Sequence, residues 1–238
     1  MKKLFLTSSM FFLLTGLLLT TSCLETDIDE EGFGDAYILV EIVGGDTLKG
    51  LGLHAYSYSD FSAVVANLSG ESSQSYTLQP YLGYKQDFIW STPLAQFKKE
   101  LPAAGDYVFN ATFASGDTHT FYDRLLSGYV APPEIVSCVF TGSNQSVEVK
   151  WKTDSKTDSY NVKLMTEQGE ILFVSPVYDR FTETYTFNKN TQGWQTSAYP
   201  TDGQNLLVEV SSYLLEAGGI NNQLQSIGKS RIALKWGN

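Results

Sequence analysis

Val147-Glu148-Val149-Lys150-Trp151-Lys152 is the stretch that decides the fold class of this chain. Apolar side chains at positions 147, 149 and 151 alternate with charged side chains at positions 148, 150 and 152. Successive side chains of a β-strand point to opposite faces of a sheet, so this alternation predicts a strand with one buried face and one face in water.

The same period of two recurs along the chain from Asp35 onward. Ile38, Val40 and Ile42 alternate with Leu39 and Glu41, and a similar pattern covers residues 107–113. Short turn signals separate these segments: Gly44-Gly45-Asp46, Ser69-Gly70-Glu71, Ala104-Gly105-Asp106 and Ser115-Gly116-Asp117. Only residues 93–101 show helical spacing, which predicts a short helical crossover. The chain is therefore predicted to be all-β.

Two consecutive prolines mark the predicted domain boundary. Pro132-Pro133 favours an extended spacer and stops a central strand from continuing through it. Without residues 1–22 the chain keeps 216 of its 238 residues, enough for two domains of roughly 100 residues each. We therefore expect one domain over residues 34–128 and a second over residues 132–238.

The second half, from Pro133 to Asn238, resembles a fibronectin type III domain. The resemblance rests on Pro133-Glu134-Ile135 opening the first strand, a core Trp at position 151, and Tyr160-Asn161-Val162-Lys163-Leu164. Later strands are expected at residues 184–188, 206–211 and 231–236. One departure lies in Asn205-Leu206-Leu207-Val208, where such domains usually carry a Tyr before the apolar pair.

The first half resembles an immunoglobulin-like or PKD-like domain. Gly105-Asp106-Tyr107 at the start of a late strand is similar to a tyrosine corner, in which the Tyr hydroxyl bonds to the backbone just upstream. The two resemblances imply two tandem immunoglobulin-like β-sandwiches. They say nothing about function, because many functions share this fold.

The first 23 residues resemble the leader of a bacterial lipoprotein. Lys2 and Lys3 precede a mostly apolar run over residues 4–19, followed by Thr20-Thr21-Ser22-Cys23. This pattern predicts a signal peptide over residues 1–22 and attachment of a diacylglycerol anchor to Cys23. Leu19 lies one place early for the usual lipobox, as in the relaxed lipoboxes of Bacteroidota lipoproteins. The alternative is plain secretion after cleavage.

An acidic stretch follows the predicted lipidation site. Residues 24–31 carry five carboxylates and no basic residue, which predicts an extended tether over residues 23–33. The stretch also resembles the acidic segment that directs Bacteroidota lipoproteins to the outer face of the outer membrane. A plain solvated linker is equally compatible with it. We expect a lipid-anchored protein of the outer membrane, at the cell surface, and leave the periplasmic face open.

Charge and cysteine content exclude several classes. Removing Lys2 and Lys3 takes the formal charge from −10 to −12, which argues against binding to nucleic acid and against electrostatic docking on anionic lipid. Beyond Cys23 the sequence contains only Cys138, so no intramolecular disulfide can form within the mature domains. Cys138 lies in an apolar strand segment and is predicted to be a buried structural thiol.

Motifs that carry catalysis are missing from the sequence. It contains no Gly-x-Ser-x-Gly, no His-Glu-x-x-His, no phosphate-binding Gly-rich loop and no paired Cys-x-x-Cys. His54 and His119 have no metal-ligand neighbour at helical or hairpin spacing, and each is expected to be a solvent-facing strand residue. No Asp or Glu has sequence neighbours that would raise its pKa as a general acid requires. We therefore predict no catalytic residue, no metal, no cofactor and no enzymatic activity.

One long polar connection, residues 188–204, contains the aromatic side chains Trp194 and Tyr199. Aromatic faces beside amide and carboxylate groups suit sugar rings, so these two residues are the predicted ligand-binding candidates. The alternative is that Trp194 folds back and closes the end of the sandwich. The aromatic stretch from His54 to Tyr58 is a second, weaker candidate.

These observations favour a non-catalytic binding module tethered to the cell envelope by lipid on Cys23, with a glycan-capturing accessory role as the specific hypothesis. The alternative is a structural or adhesive envelope subunit whose partner is a protein. The sequence alone does not separate these two functions.

Overall fold

The computed structural model describes residues 30–71, 74–142, 145–196, 199–218 and 223–237. The predicted signal peptide, the lipidation site Cys23 and residues 23–29 of the tether lie outside this range. Among the described residues the regular secondary structure is almost entirely β. In the same range, no helix has the length and apolar character needed to cross a membrane.

Within residues 30–71 and 74–131, the first half of the chain forms eight strands and one short 3-10 helix, Leu94–Gln96. The strands are β1 (Gly32–Val43), β2 (Asp46–Ser57), β3 (Phe61–Leu68), β4 (Ser75–Thr77), β5 (Gln79–Tyr81), β6 (Tyr84–Ser91), β7 (Gly105–Phe113) and β8 (Thr118–Leu125). The tether was expected to extend to residue 33, but β1 already begins at Gly32.

The second half also forms eight strands. They are β9 (Ile135–Thr141), β10 (Ser146–Trp151), β11 (Ser159–Thr166), β12 (Ile171–Val174), β13 (Tyr178–Asp179), β14 (Thr184–Asn188), β15 (Asn205–Leu215) and β16 (Leu224–Lys235).

These strands form two immunoglobulin-like β-sandwiches, which confirms the predicted fold class. A nine-stranded sheet has the order β12-β11-β15-β16-β1-β2-β6-β5, with β13 paired to β11. A four-stranded sheet, β4-β3-β7-β8, and a three-stranded sheet, β14-β10-β9, complete the two sandwiches. The halves share the large sheet because β1 pairs in parallel with β16, with Ile38 opposite Ser226 and Leu39 opposite Ile227.

Each sandwich encloses its own apolar core. The first core lies between β1, β2 and β6 on one side and β3, β7 and β8 on the other, and it includes Phe61, Phe109 and Phe113. The second core contains Trp151 and Trp236. The alternation predicted around Trp151 is confirmed, since Val147, Val149 and Trp151 are buried while Lys150 and Lys152 are exposed.

Strand β1 departs from the predicted pattern of one buried face. Ile38 and Val40 are buried as expected, but Leu39 and Glu41 on the opposite face are buried too. Ile42, expected on the buried face, is 56% exposed. Leu39 is buried because it packs with Phe97 and Ile227 on that face, and Glu41 pairs with Arg231 of β16. Ile42 is exposed because it lies next to the exposed β1–β2 turn.

The segment between the sandwiches is fixed to the shared sheet. Gln225 donates hydrogen bonds from Nε2 to the carbonyl oxygens of Leu126 and Gly128, both at 2.9 Å. The Val130 N–H donates to Ser226 Oγ at 2.9 Å, and Ser212 Oγ donates to the Ala131 carbonyl at 2.9 Å. This segment is therefore not a free spacer. The domain limits at residues 128 and 132 remain a prediction.

Two local features of the first half were predicted, a tyrosine corner at Tyr107 and a helical crossover. The Tyr107 hydroxyl donates to the Ala103 carbonyl at 3.0 Å, as expected of a tyrosine corner. The helical crossover predicted over residues 93–101 is a single 3-10 turn, Leu94–Gln96, followed by extended chain from Phe97.

The strand register defines two opposite ends of the first sandwich. At one end β1 begins, because Gly32 pairs with Ser57, the last residue of β2. The β5–β6 turn extends past the same end, since Tyr56 pairs with Asp87 and β6 begins three residues earlier. We call this the tether end. The opposite end, which we call the far end, contains the β1–β2 turn at Gly44-Gly45 and the segment 92–104.

Candidate functional site

A groove of about 600 Å³ opens at the far end of the first sandwich. It lies between β2, β3, β4 and β6 on one side and the segment from Thr92 to Ala103 on the other. We call it the far-end groove. The lining combines aliphatic, aromatic, amide, hydroxyl and charged side chains, which include Lys49, Leu68, Gln74, Tyr76, Trp90, Thr92, Gln96, Lys98, Glu100, Leu101 and Tyr107.

An aromatic pair forms the apolar part of this groove. The ring centroids of Tyr76 on β4 and Trp90 on β6 lie 4.4 Å apart, with their planes tilted by 53°. Both side chains are half-buried and pack against the first core. Burial raises the pKa of the Tyr76 hydroxyl, so the group stays neutral and can donate a hydrogen bond at physiological pH.

The segment 92–104 is hydrogen-bonded to β2 and forms the other wall of the far-end groove. The backbones of Lys49 and Lys98 exchange hydrogen bonds of 2.6 and 2.9 Å, and Lys49 Nζ donates to the Lys99 carbonyl at 2.9 Å. Phe97 packs over Gly50, where an added Cβ would lie 2.5 Å from the Phe97 ring. Glycine at position 50 therefore allows the close approach that shapes this wall.

Polar groups surround the aromatic pair at the groove opening. Gln74, Gln96, Lys98 and Glu100 are exposed and line the groove. The Thr92 hydroxyl has a structural role, because its Oγ1 accepts a hydrogen bond from the Leu51 N–H at 2.9 Å. The arrangement offers flat apolar faces within reach of several hydrogen-bond donors and acceptors. It can hold a polar ring compound, and it contains no nucleophile paired with a base.

Sequence reasoning missed the far-end groove. Tyr76 and Trp90 are 14 positions apart, and strands β4 and β6 belong to different sheets. Only the packing of the two sheets brings the rings together. A weak signal was present in the sequence, since Trp90 lies just before Thr92-Pro93, where a strand is expected to end.

The first predicted ligand-binding residue, Trp194, packs on the second core. Its Nε1 donates to the Asn188 carbonyl at 3.1 Å. Its ring meets Phe173 edge-to-face at 5.3 Å and Trp236 at 6.0 Å, and its backbone bridges to Phe173 beside β12. This is the arrangement of the alternative interpretation, in which Trp194 closes the end of the sandwich. A role in ligand binding stays a prediction.

The second predicted ligand-binding residue, Tyr199, is more accessible. Its side chain is 44% exposed, and its ring meets Trp194 edge-to-face at 5.0 Å. Lys189 Nζ lies 6.0 Å from the centre of the same ring. The two candidates are thus in contact, with Trp194 beneath and Tyr199 at the surface.

The weaker aromatic candidate around His54 divides into separate environments. His54 Nε2 lies 2.6 Å from Asp87 Oδ1, and its side chain is only partly exposed. Tyr56 stacks on Phe33 at 5.0 Å, whereas Tyr58 projects into solvent. His119 is exposed, as expected of a solvent-facing strand residue. Across the described residues, no three His, Cys, Asp or Glu side chains come together in a way that could hold a metal ion.

The expectation that no carboxyl group has a raised pKa was wrong. Burial, together with the charges of Asp123 and Glu216, raises the pKa of Asp35 to about 8, although the Leu224 N–H opposes the shift. Burial and the charge of Asp123 raise the pKa of Glu216 to about 7. Asp35 follows Gly34 and precedes Ala36 in the sequence, so its environment comes from residues far along the chain.

These carboxyl groups stabilise the junction of the two halves. Asp35 Oδ2 accepts a hydrogen bond from the Leu224 N–H at 3.0 Å. Asp123 accepts from the Ala36 N–H at 2.7 Å and from Gln223 Nε2 at 3.1 Å. They lie beside the backbone of β1 and β16 and do not line the far-end groove. We therefore assign these carboxyl groups a structural role.

Cys138 is half-buried on β9 and packs against the second core. Burial raises the pKa of its thiol to about 11, so little thiolate exists at neutral pH. This agrees with the structural role predicted for it.

Comparisons with known proteins add little to this description. No protein-family model matches the chain, and no curated protein matches it. A cytokine receptor complex is similar at 11% identity and a TM-score of 0.34, covering 86% of this chain and 97% of that chain. A two-domain fibronectin type III segment of chicken tenascin is similar at 16% identity and a TM-score of 0.33, covering 87% and 97%.

A third similar structure is Tp47, the 47-kilodalton lipoprotein of Treponema pallidum. The identity is 14% and the TM-score 0.34, with 83% of this chain and 50% of that chain covered. TM-scores at this level carry no functional argument. The assignment to immunoglobulin-like sandwiches rests on the sheets of the protein itself.

Proposed function

We propose that this protein is a non-catalytic, lipid-anchored binding module of the cell envelope that holds carbohydrate in the far-end groove. The observation that carries the proposal is the pair of Tyr76 and Trp90, 4.4 Å apart and surrounded by exposed amide and charged side chains. Sugar rings bind to such sites through their apolar faces on aromatic rings and through hydroxyl groups on polar side chains.

The position of the groove supports the same function. The predicted tether enters the fold at Gly32, and β1 then runs twelve residues to Val43 at the far end. At about 3.3 Å per residue, this strand separates the two ends by about 35 Å. The segment that follows the predicted anchor at Cys23 therefore enters the fold at the end opposite the groove, so the entry of the chain leaves the groove open to a soluble glycan.

A glycan array followed by calorimetric titration with the best oligosaccharide tests the proposal. Gln96 is exposed at the groove opening and belongs to a 3-10 turn, so Gln96→Ala leaves the core untouched. We expect Gln96→Ala to weaken binding by roughly fivefold to tenfold, the worth of one hydrogen bond. Trp90→Ala should remove on the order of 1–3 kcal/mol of affinity, as loss of an aromatic anchor does.

Gln79→Ala is the matched control, because Gln79 is an exposed glutamine on β5 that does not line the groove. Its affinity should equal that of the unchanged protein. The proposal fails when no glycan binds, or when Gln96→Ala and Gln79→Ala bind equally well.

One observation favours the second candidate function, a structural or adhesive envelope subunit. Val136 and Val139 are 59% and 53% exposed on β9, an edge strand of the three-stranded sheet. Exposed apolar residues on a free strand edge suit pairing with another chain. Cross-linking in whole cells with a photoreactive residue in place of Val139 would capture such a partner.

A further inference from the structure

Three exposed apolar side chains lie together at the tether end of the first sandwich. Tyr58 in the β2–β3 turn is 87% exposed, Leu82 in the β5–β6 turn is 68% exposed, and Tyr84 at the start of β6 is 66% exposed. Gln86 Nε2 on β6 donates to the Tyr58 carbonyl at 3.3 Å, which connects β6 to the β2–β3 turn. We call these three residues the apolar tip.

The backbone at Leu82 gives no structural reason for a leucine. Leu82 has a φ of +51° and Gly83 a φ of +84°, the left-handed pair of a tight hairpin turn. Asn followed by Gly is the favoured sequence for such a turn, and a branched aliphatic residue is strained there. Because the Leu82 side chain is also largely exposed, packing within the protein does not offset the strain. A contact outside the chain is the remaining explanation.

The length of the tether limits the distance between the predicted anchor and the end of the sandwich that carries this tip. Gly32 pairs with Ser57, the residue directly before Tyr58, and Ser57 Oγ donates to the Glu31 carbonyl at 2.6 Å. At full extension of about 3.6 Å per residue, the nine steps from Cys23 to Gly32 reach about 30 Å. Whatever its conformation, the tether therefore keeps Gly32, where the fold begins beside the apolar tip, within about 30 Å of Cys23.

We propose that the apolar tip inserts into the surface of the bilayer that holds the Cys23 lipid, and that this second contact points the far-end groove away from the membrane. The inference rests on the lipid anchoring in the proposed function. Tyrosine and leucine suit this role, because tyrosine favours the membrane–water interface and leucine favours the acyl chains.

Charge decides which kind of contact this is. Asp60 lies two residues beyond Tyr58, Asp117 belongs to the neighbouring β7–β8 turn, and the tether itself is acidic. These carboxylates oppose docking on anionic headgroups, and Lys85 is the cation adjacent to the tip in sequence. The contact is therefore apolar, and zwitterionic lipid is the matching surface. The tether supplies a high local concentration, so a weak contact is enough to orient the domain.

Hydrogen exchange on vesicles tests this inference. The chain from Cys23 to Asn238, carrying Cys138→Ala, is coupled through Cys23 to a maleimide lipid in vesicles of phosphatidylcholine and phosphatidylethanolamine. The chemical link replaces the natural anchor, so the outcome does not depend on natural lipidation. We expect amides of residues 58–60 and 82–85 to exchange more slowly on vesicles than in solution. Amides of residues 44–46, at the far end, should not change.

Leu82→Asn and the triple variant Tyr58→Ser, Leu82→Asn, Tyr84→Ser complete the test. Leu82→Asn should raise the melting temperature, because asparagine tolerates the left-handed conformation. The triple variant should lose the protection on vesicles while keeping the exchange pattern of the folded protein in solution. Equal exchange on vesicles and in solution, or protection that survives in the triple variant, would overturn the inference.

The inference and the proposed function fail separately. Absence of fatty-acid labelling at Cys23 in cells refutes natural anchoring, and absence of glycan binding refutes the role of the groove. Neither result changes the exchange measured on chemically coupled vesicles.

Discussion

Arg231 on β16 donates a hydrogen bond from Nη1 to Oε2 of Glu41 on β1 at 2.8 Å, joining the two sandwiches across their shared sheet. The same guanidinium bonds Glu209 on β15 at 2.7 Å. Burial acts to raise the pKa of Glu209, but the charges of Lys229, Lys163 and Arg231 outweigh it and hold that pKa below its ordinary value. Glu209 is therefore charged in the folded protein and depends on these partners.

Arg231→Ala should be strongly destabilising, because it removes the hydrogen-bonded cation that the buried Glu209 and Glu41 carboxylates share. We expect a loss on the order of 3 kcal/mol, measured by urea denaturation. Arg124→Ala is the matched control, since the Arg124–Asp106 pair has a similar distance, 2.8 Å, but is largely exposed. It should cost less than about 1 kcal/mol. Equal losses for both variants would contradict this role of Arg231.

The second sandwich should fold without the first but with lower stability. Residues 132–238 contain the whole second core, so they should show β-type circular dichroism and a cooperative melt. In isolation, β16 loses its pairing with β1, and Arg231 loses Glu41. The fragment should therefore melt at a lower temperature than the intact chain. A fragment that stays unfolded would show that the shared sheet is one folding unit.

Trp194→Ala separates the two interpretations of the Trp194 loop. Because the ring packs on Phe173 and Trp236, its removal should cost about 3 kcal/mol of unfolding free energy through the cavity it leaves. Glycan affinity at the far-end groove should not change. Tyr199→Ala, at the exposed neighbour, should cost much less. Thermal melts of both variants together with glycan titration check this, and unchanged stability with lost affinity would restore Trp194 as a binding platform.

Stability should fall as the pH rises from about 5 to 9. The pKa of Asp35 is raised from 3.8 to about 8 and that of Glu216 from 4.5 to about 7. Across this window the folded chain keeps protons that the unfolded chain has lost, so raising the pH favours unfolding. The pKa of Glu209 is shifted in the opposite direction, downward from 4.5. Its contribution to folding stability is therefore lost only when the pH falls below about 4.5, outside this window.

Thermal melts at several pH values measure this dependence. Asp35→Asn keeps an oxygen acceptor for the Leu224 N–H and removes the titrating group. The slope of melting temperature against pH should therefore be shallower in Asp35→Asn than in the unchanged protein. A melting temperature that rises from pH 5 to pH 9 would show that these carboxyl groups do not control stability.

Patterns among residues close in sequence correctly predicted the features that depend on nearby residues, namely single strands and the tyrosine corner. The alternation around Trp151 predicted a strand with one buried face. The prediction is confirmed because the sheet that contains this strand packs on the second core with one face only. Tyr107 bonded to Ala103, four residues upstream, as the tyrosine corner requires. The predicted all-β class and the two sandwiches follow from the same patterns.

Relationships between distant parts of the chain could not be predicted in this way. Arg231 and Glu41 are 190 positions apart, and only the parallel pairing of β1 with β16 brings them together. The raised pKa of Asp35 also comes from burial and from the charges of Asp123 and Glu216, which are distant in sequence. Tyr76 and Trp90 likewise meet through the packing of two sheets. Each of these features depends on contacts between residues distant in sequence, and such contacts produce no periodic pattern that could predict them.

The register of β1 also sets how the protein responds to mechanical force. The chain enters the fold at Gly32, and β1 is bonded along its whole length to β2 on one side and along part of it to β16 on the other. A ligand dragged away from the membrane pulls on Gly32 along the axis of this strand. The load then falls on many ladder hydrogen bonds at once, in shear, rather than opening them one after another. A domain held in this way resists flow that would unzip a strand attached at its edge.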